Sequence, residues 1–165
     1  MQLSTLNALS PLDGRYAKKV DNLRQYFSEF ALIKFRVEVE IKWLISLSDE
    51  KAIKEVTALS ASTRESLQKT IQSFSEADAA EIKKIEETTN HDVKAVEYWL
   101  KNKFKDNQEI KSISEFIHFS CTSEDINNLS HALMIKHAKE SVLTPHLENI
   151  IKKLKDLAHD LSGHA

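Results

Sequence analysis

The chain has 165 residues and a formal net charge of −2, with 41% hydrophobic and 29% charged residues. Nucleic-acid-binding surfaces are normally basic, so this charge balance, together with the lack of a basic tract, argues against a nucleic-acid partner. Two glycines and two prolines are far fewer than sheets and irregular loops use in their turns. The composition therefore predicts an all-α fold.

Cysteine content and hydropathy point to a cellular compartment. Cys121 is the single cysteine, so it has no partner for an intramolecular disulfide. The amino terminus is polar and lacks the apolar core of a signal peptide. No apolar run is long enough to span a bilayer. We therefore expect a cytoplasmic protein that makes no membrane contact.

The first part of the chain combines a turn with a long predicted helix. Residues 1–17 look irregular, because Pro11 followed by Asp13-Gly14 is typical of a turn. A helix is expected from about Lys18 to Leu47, with a possible break near Ser28. Apolar residues in it recur at spacings of three and four, which predicts a buried stripe formed by Leu32, Phe35, Val39 and Trp43.

The middle of the chain is predicted to alternate linkers and helices. Residues 49–74 are expected to form a surface linker that contains one short helix. Ser75 has the side chain of an N-cap, and Asp78 stands third in the helix that follows, which runs through Glu87. Another helix is expected from about His91 to Phe104, because its apolar residues share one face: Val93, Val96, Leu100 and Phe104.

The last part of the chain is predicted to hold two long helices after a short apolar segment at residues 113–119. Thr122 or Ser123 can cap the first, which extends to about Val142. Thr144 is expected to cap the second, with Pro145 at its first position, where a missing N–H costs little. The second helix has an apolar face wide enough to require other long helices against it: Leu147, Ile150, Ile151, Leu154, Leu157, Ala158 and Leu161.

Residues 88–94, Thr-Thr-Asn-His-Asp-Val-Lys, are the most informative polar cluster. The simplest interpretation is that Thr89 or Asn90 caps a helix and that Asp92 complements its dipole. A cap does not require His91. The positive end of a helix dipole favours neutral imidazole, which beside Asp92 could give or accept a proton.

Two further clusters could bind anions. Thr122 and Ser123 at a helix start can hold a carboxylate or phosphate, although a plain cap explains them equally well. Asn127 and Asn128, one turn later, indicate either a polar interior contact or a solvated face. Arg15, in the turn Asp-Gly-Arg-Tyr, suits phosphate or carboxylate binding, although an exposed surface arginine is more common.

Other kinds of site are poorly supported. The histidines lack the spacing of metal ligands, so no metal site is predicted. The sequence has no glycine-rich phosphate loop, which argues against a nucleoside-triphosphate enzyme. Nothing in the sequence near Cys121 would activate its thiol, so we expect it to be inert.

Three separated motifs carry a resemblance that covers the whole chain. They are Ser-Pro-Leu-Asp-Gly-Arg-Tyr at residues 10–16, Thr-Thr-Asn-His-Asp-Val-Lys-Ala-Val-Glu-Tyr at 88–98, and Phe-Ile-His-Phe-Ser-Cys-Thr-Ser-Glu-Asp-Ile-Asn-Asn-Leu-Ser-His at 116–131. In this order they closely resemble the bacterial branch of the adenylosuccinate lyase family. The Thr-Ser-x-Asp element is also similar to the wider fumarase/aspartase superfamily.

The resemblance implies a helical subunit of a homotetrameric enzyme built around a bundle of long helices. Residues 1–111 would form a helical N-terminal domain, and residues 112–165 the start of the central bundle. The implied reaction is a β-elimination that releases fumarate from adenylosuccinate, giving AMP, and from succinylated aminoimidazole-carboxamide ribotide. It uses no metal or organic cofactor, and each active site draws residues from three subunits.

The resemblance also implies roles for individual residues. Arg15 and Tyr16 would contact the nucleotide at its phosphate. Asn90, His91 and Asp92 would line the substrate pocket, with His91 supporting the reacting region through hydrogen bonds. Thr122 and Ser123 would hold a carboxylate of the succinyl group.

Two family motifs do not occur in this sequence. A histidine in Thr-His-Gly-Gln-Pro protonates the leaving nitrogen in the family, and a serine on a mobile Ser-Ser-x-Met-Pro-x-Lys-x-Asn-Pro loop takes the Cβ proton. We therefore expect an N-terminal fragment that is inactive alone. The alternatives are a non-catalytic helical module that binds partners through its 145–161 face, and a related enzyme such as argininosuccinate lyase.

Overall fold

The computed structural model describes residues 6–164, and the predicted irregular segment before Leu6 lies outside this range. The described residues form helices and turns without a β-strand, which confirms the predicted all-α fold. Eight α-helices occur among them: α1 (Arg24–Phe27), α2 (Glu29–Asp49), α3 (Ala61–Gln72), α4 (Glu76–Thr89), α5 (Asp92–Lys103), α6 (Gln108–Ser112), α7 (Ser123–Ala138) and α8 (Thr144–Asp160).

The chain divides into two compact units. The larger unit is residues 29–133, and the smaller unit joins the described residues up to Ser28 with those from Met134 onward. Within the larger unit, α2 packs against α3, α4 and α5. Eleven of the residues in α2 are buried, more than one amphipathic stripe would supply, because neighbouring helices cover several of its faces.

The main hydrophobic core lies in the larger unit. Among its most deeply buried side chains are Ile41, Leu44, Leu67, Ile82 and Leu100. Leu67 belongs to α3, so the short helix predicted within residues 49–74 is confirmed, but the prediction that this segment lies on the surface is wrong. Spacing of four between Leu67 and Ile71 gives α3 a narrow apolar face, and that face packs into the core.

Helix caps explain where several helices begin. Ser75 Oγ accepts the Asp78 N–H at 3.3 Å, and an Asp78 carboxylate oxygen accepts the Ser75 N–H at 3.0 Å. This reciprocal capping box confirms the predicted start of α4. The predicted break at Ser28 is also confirmed, because its ψ of 165° is extended. Residues 17–19 and 21–23 form 3₁₀ turns where the start of the long helix was expected.

In the smaller unit, the predicted turn is closed by backbone hydrogen bonds. The Gly14 N–H donates to the Ser10 carbonyl at 3.0 Å, and the Tyr16 N–H donates to the Pro11 carbonyl at 3.0 Å. Arg15 therefore lies within a hydrogen-bonded turn.

The prediction that Thr144 caps a separate last helix is wrong. Residues 139–143 form a π-helical segment that joins α7 to α8, and Leu143 has helical backbone angles without a side-chain cap. Pro145 has no N–H to donate to the preceding turn, so widening the helix just before it sacrifices little hydrogen bonding.

Helix α8 has no buried residues. The apolar stripe formed by α8 and its C-cap Leu161 is about half exposed, from Leu161 at 50% to Leu154 at 61%. Among residues 6–164, no helix combines the length and apolar character needed to cross a bilayer.

Replacing Leu100 with Ala tests the assigned core. Leu100 is 2% exposed, so Leu100→Ala should lower the free energy of unfolding by about 2–5 kcal/mol through lost burial and a residual cavity. Leu129→Ala is the matched control, because Leu129 is also on a helix but is 56% exposed. Chemical denaturation measures both values, and equal losses would contradict the assigned core.

Candidate functional site

The site begins where α4 ends and α5 starts. Asn90 adopts a left-handed conformation with φ of 50° and ψ of 32°, and its N–H donates to the Glu86 carbonyl. Asparagine is one of the few non-glycine residues that adopt this conformation readily. His91 then returns to extended backbone and is itself the N-cap of α5. The prediction that Thr89 or Asn90 provides this cap is therefore wrong.

The cap determines which imidazole nitrogen carries the proton. His91 Nδ1 accepts the Lys94 N–H at 3.2 Å, so in neutral imidazole the proton is on Nε2. Nε2 lies 3.3 Å from Ser123 Oγ, so the Nε2–H donates to that hydroxyl oxygen. The side chain of His91 is 49% exposed. A ligand at this surface can therefore reach the imidazole, and it would accept the Nε2–H in place of Ser123 Oγ.

Asp92 does not orient the imidazole through a hydrogen bond, contrary to the role its position beside His91 suggests. Its Oδ1 is 3.8 Å from His91 Nδ1 and instead accepts the Val93 N–H at 2.9 Å. Its Oδ2 accepts from Arg36 Nη2 at 2.5 Å. Partial burial alone would raise the pKa of Asp92, but the charge of Arg36 and the Val93 N–H outweigh this effect and lower it.

The start of α7 has its own reciprocal cap, which confirms Thr122 as the capping residue. Thr122 Oγ1 accepts the Asp125 N–H at 3.4 Å. An Asp125 carboxylate oxygen accepts the Thr122 N–H at 2.7 Å and its hydroxyl proton at 2.8 Å. These hydrogen bonds lower the pKa of Asp125. An external anion would have to displace this carboxylate to use the donors of Thr122.

Arg36 connects the two helix starts, a role that the sequence motifs do not predict. Its side chain is 8% exposed, and its Nε–H donates to Asn127 Oδ1 at 2.9 Å. The predicted polar interior contact of Asn127 is thereby confirmed, whereas Asn128 is exposed to solvent. Residue type alone does not identify Arg36, because Lys34, Glu38 and Lys42 are further charged residues in the same stretch of α2.

A second buried polar pair precedes α7. Glu40 is 0% exposed, and its Oε1 lies 2.6 Å from His118 Nδ1. Its Oε2 has no hydrogen-bond partner among the described residues. Burial raises the pKa of Glu40, and pairing with His118 offsets only part of that rise.

The backbone that connects this pair to Thr122 is strained. His118 and Ser120 have φ of 63° and 59°, and both are non-glycine residues in the left-handed region. Cys121 follows. Burial and then the charges of Glu40 and Asp125 raise the pKa of its thiol, which agrees with the expectation that this cysteine is not activated.

The smaller unit contains the other predicted binding residues. Arg15 and Tyr16 are both exposed, and the Arg15 guanidinium carbon lies 5.1 Å from the centre of the Tyr16 ring. Asp13 pairs with Arg24 at 2.9 Å, so Arg15 is not neutralised by its neighbour in the turn. Together Arg15 and Tyr16 provide a cation and a phenol on one surface.

The described residues contain no group of three or more His, Cys, Asp and Glu side chains placed to hold a metal ion. The larger unit instead brings together polar groups from two helix starts: Asn90, His91, Asp92, Thr122 and Ser123. This is a site of hydrogen-bond donors, a carboxylate and a neutral imidazole.

Residues 14–162 match the family model described as "Lyase". The chain belongs to this lyase family, which is the all-α fumarase/aspartase superfamily. Within the family, its curated relatives include adenylosuccinate lyases.

The adenylosuccinate lyase of Escherichia coli K12 is 58% identical over 158 residues, which cover 96% of this chain and 35% of the relative. The enzyme of Haemophilus influenzae is 56% identical over 160 residues, covering 97% and 35%. That of Vibrio cholerae is 52% identical over 160 residues, with the same coverage of 97% and 35%. The chain therefore spans about a third of the length of these relatives.

Replacing Glu40 with Gln tests the buried pair. The raised pKa of Glu40 means that the folded chain binds more protons than the unfolded one. Its contribution to stability is therefore complete below the ordinary value of 4.5 and is lost as pH rises through the raised value. The melting temperature of Glu40→Gln should rise relative to the parent as pH increases from about 5 to about 8.

Glu109→Gln is the matched control for this pH effect. The Ser60 N–H lowers the pKa of Glu109, so its stabilising contribution is lost as pH falls, in the opposite direction. Glu109→Gln should therefore differ from the parent by a constant amount above about pH 5. A constant difference for Glu40→Gln as well would contradict the raised pKa of Glu40.

Proposed function

We propose that this chain supplies substrate-binding residues of a carbon–nitrogen lyase of the adenylosuccinate lyase type. Such an enzyme releases fumarate from adenylosuccinate to give AMP, and from succinylated aminoimidazole-carboxamide ribotide. The observation that carries the proposal is the 3.3 Å approach of His91 Nε2 to Ser123 Oγ. This contact joins two motifs that are separate in the sequence into one polar surface. The proposal is supported by the 58% identity of the aligned residues to the adenylosuccinate lyase of Escherichia coli K12.

The proposed substrate suits the groups that the chain presents. A succinylated nucleotide has a phosphate and two carboxylates, and such anions need cations and N–H or O–H donors. Arg15 and Tyr16 are proposed to contact the phosphate. Asn90, His91 and Asp92 are proposed to line the pocket, with the Nε2–H of His91 turning from Ser123 Oγ to the substrate as a neutral donor.

The succinyl carboxylate is proposed to bind at the start of α7. Thr122 already gives both of its donors to Asp125, so Ser123 is the better candidate to reach an external carboxylate first. During the elimination the Cβ proton leaves, the C–N bond breaks and its electron pair goes to the nitrogen, which takes a proton. Fixed donors near the carboxylate stabilise the charge that develops as the Cβ proton departs.

His91 is proposed as a supporting residue. The family motifs that carry the principal acid and base do not occur in this sequence, so we propose that the chain has no lyase activity alone. We also propose that residues 1–111 form a helical N-terminal domain and residues 112–165 the start of a central bundle. The enzyme would be a cytoplasmic homotetramer without metal or organic cofactor.

The exposed stripe of α8 favours a second candidate, a non-catalytic helical module that binds partners through this face. In the lyase, the same stripe is proposed to pack in the bundle of the tetramer. If the protein is a lyase, the α8 face should pair with copies of the same subunit. If it is a module, this face should bind a partner and the protein should have no catalytic activity.

A graft tests the proposed function. The matched N-terminal segment of the Escherichia coli adenylosuccinate lyase is replaced by this chain, and fumarate release is measured with both succinylated nucleotides. The graft should retain activity, since 58% of the aligned residues are identical. A folded, tetrameric graft that releases no fumarate would contradict the proposal.

A substitution in the graft separates the two roles of His91. His91→Asn retains a good N-cap but removes the imidazole, so turnover should fall by at least about 100-fold with little loss of stability. Ser75→Ala is the matched control: it removes a cap from α4, should cost about 1 kcal/mol, and should leave turnover unchanged. Normal turnover in His91→Asn would mean that His91 acts only as a helix cap.

A further inference from the structure

Arg36 is a buried cation with an unusual pair of partners. Its side chain is 8% exposed, and a charge in such surroundings is stable only when it is paired and hydrogen-bonded. Nη2 donates to Asp92 at 2.5 Å and Nε donates to Asn127 at 2.9 Å. A single guanidinium in α2 therefore bonds to α5 and α7 simultaneously.

Both partners lie at the candidate site. Asp92 is the first residue of α5 and follows the N-cap His91. Asn127 comes one helical turn after Ser123 in α7 and so shares its side of the helix. The two hydrogen bonds of the forked Arg36 guanidinium thus link the same two helix starts that meet through His91 Nε2 and Ser123 Oγ at 3.3 Å.

Apolar residues adjoin the two partners of Arg36. Val39, Val93 and Ile126 form a small buried cluster, and Val93 and Ile126 are the immediate sequence neighbours of Asp92 and Asn127. The Arg36 side chain is 8% exposed whereas that of Asp92 is 45% exposed, so the guanidinium has little access to water and loss of a partner is costly for it. The relative position of the two helix starts is consequently held by directional bonds as well as by apolar contact.

We propose that Arg36 is a positioning residue of the lyase site, which holds the start of α5 against α7 so that His91 points at Ser123. The inference rests on the proposed function and deepens it, because it identifies what sets the geometry of the substrate-binding surface. Arginine is required for its planar fork, whereas the single ammonium of lysine cannot make both bonds in the same directions.

The first test uses the 165-residue chain and requires no activity. In Arg36→Lys, NMR should show shifts of the His91 ring nitrogens and the Lys94 amide, the two ends of the cap. Arg64→Lys is the matched control, since Arg64 makes a similar forked contact with Asp49, at 3.0 and 2.5 Å, away from the site. It should lower the melting temperature and leave the His91 signals unchanged.

The second test is kinetic and uses the graft with the Escherichia coli enzyme. Arg36→Lys should lower kcat by about 10- to 100-fold, because misplaced binding groups lose transition-state stabilisation. KM should change less than about threefold, since the groups that contact the substrate remain. Arg64→Lys should keep kcat within about twofold of the parent.

A milder variant covers the case in which Arg36→Lys does not fold. Asn127→Ala removes one arm of the fork and keeps the ion pair, so it should move the same NMR signals and lower kcat less. Unchanged His91 signals in the folded variants would overturn the proposal, and so would an unchanged kcat. An inactive parent graft would contradict the proposed function alone, and the NMR comparison would still decide the role of Arg36.

Discussion

Burial of α2 on several faces is the constraint on which the larger unit depends. At its buried positions, a helix covered in this way can carry charged residues only where the surrounding segments supply partners. Arg36 and Glu40, one turn apart, meet this condition. Arg36 bonds to Asp92 and Asn127, and Glu40 bonds to His118. The polar contacts of the core therefore converge on the segments that begin α5 and α7, where the candidate site lies.

Local signals in the sequence predicted most helices and several of their ends. The Ser75 and Asp78 pair and the break at Ser28 depend on neighbouring residues alone, so they could be inferred without the fold. Prediction failed where tertiary context decides. The narrow apolar face of α3 looked like part of a surface linker, and the Thr144-Pro145 pair looked like a helix start although the chain continues through a π-helical segment.

In the candidate site, too, the features set by neighbouring residues could be predicted and those set by tertiary contacts could not. Its two motifs were recognisable from residue types, but their meeting was not, because His91 and Ser123 are 32 residues apart. Arg36 and Asn127, 91 residues apart, leave no periodic signal of their contact. The role of His91 as a cap was missed because the usual capping residues stand beside it, and the left-handed turn at Asn90 moves the cap one residue further.

Scarcity of glycine has a consequence for the unfolded chain. A chain with two glycines in 165 residues samples fewer backbone conformations when unfolded, so folding sacrifices less entropy. Left-handed turns must then be made by other residues, which among residues 6–164 are Asn90, His118 and Ser120. All three stand within a few residues of His91 or Thr122. Among residues 6–164, non-glycine residues with positive φ therefore lie only beside the candidate site, and the strained ones among them are His118 and Ser120.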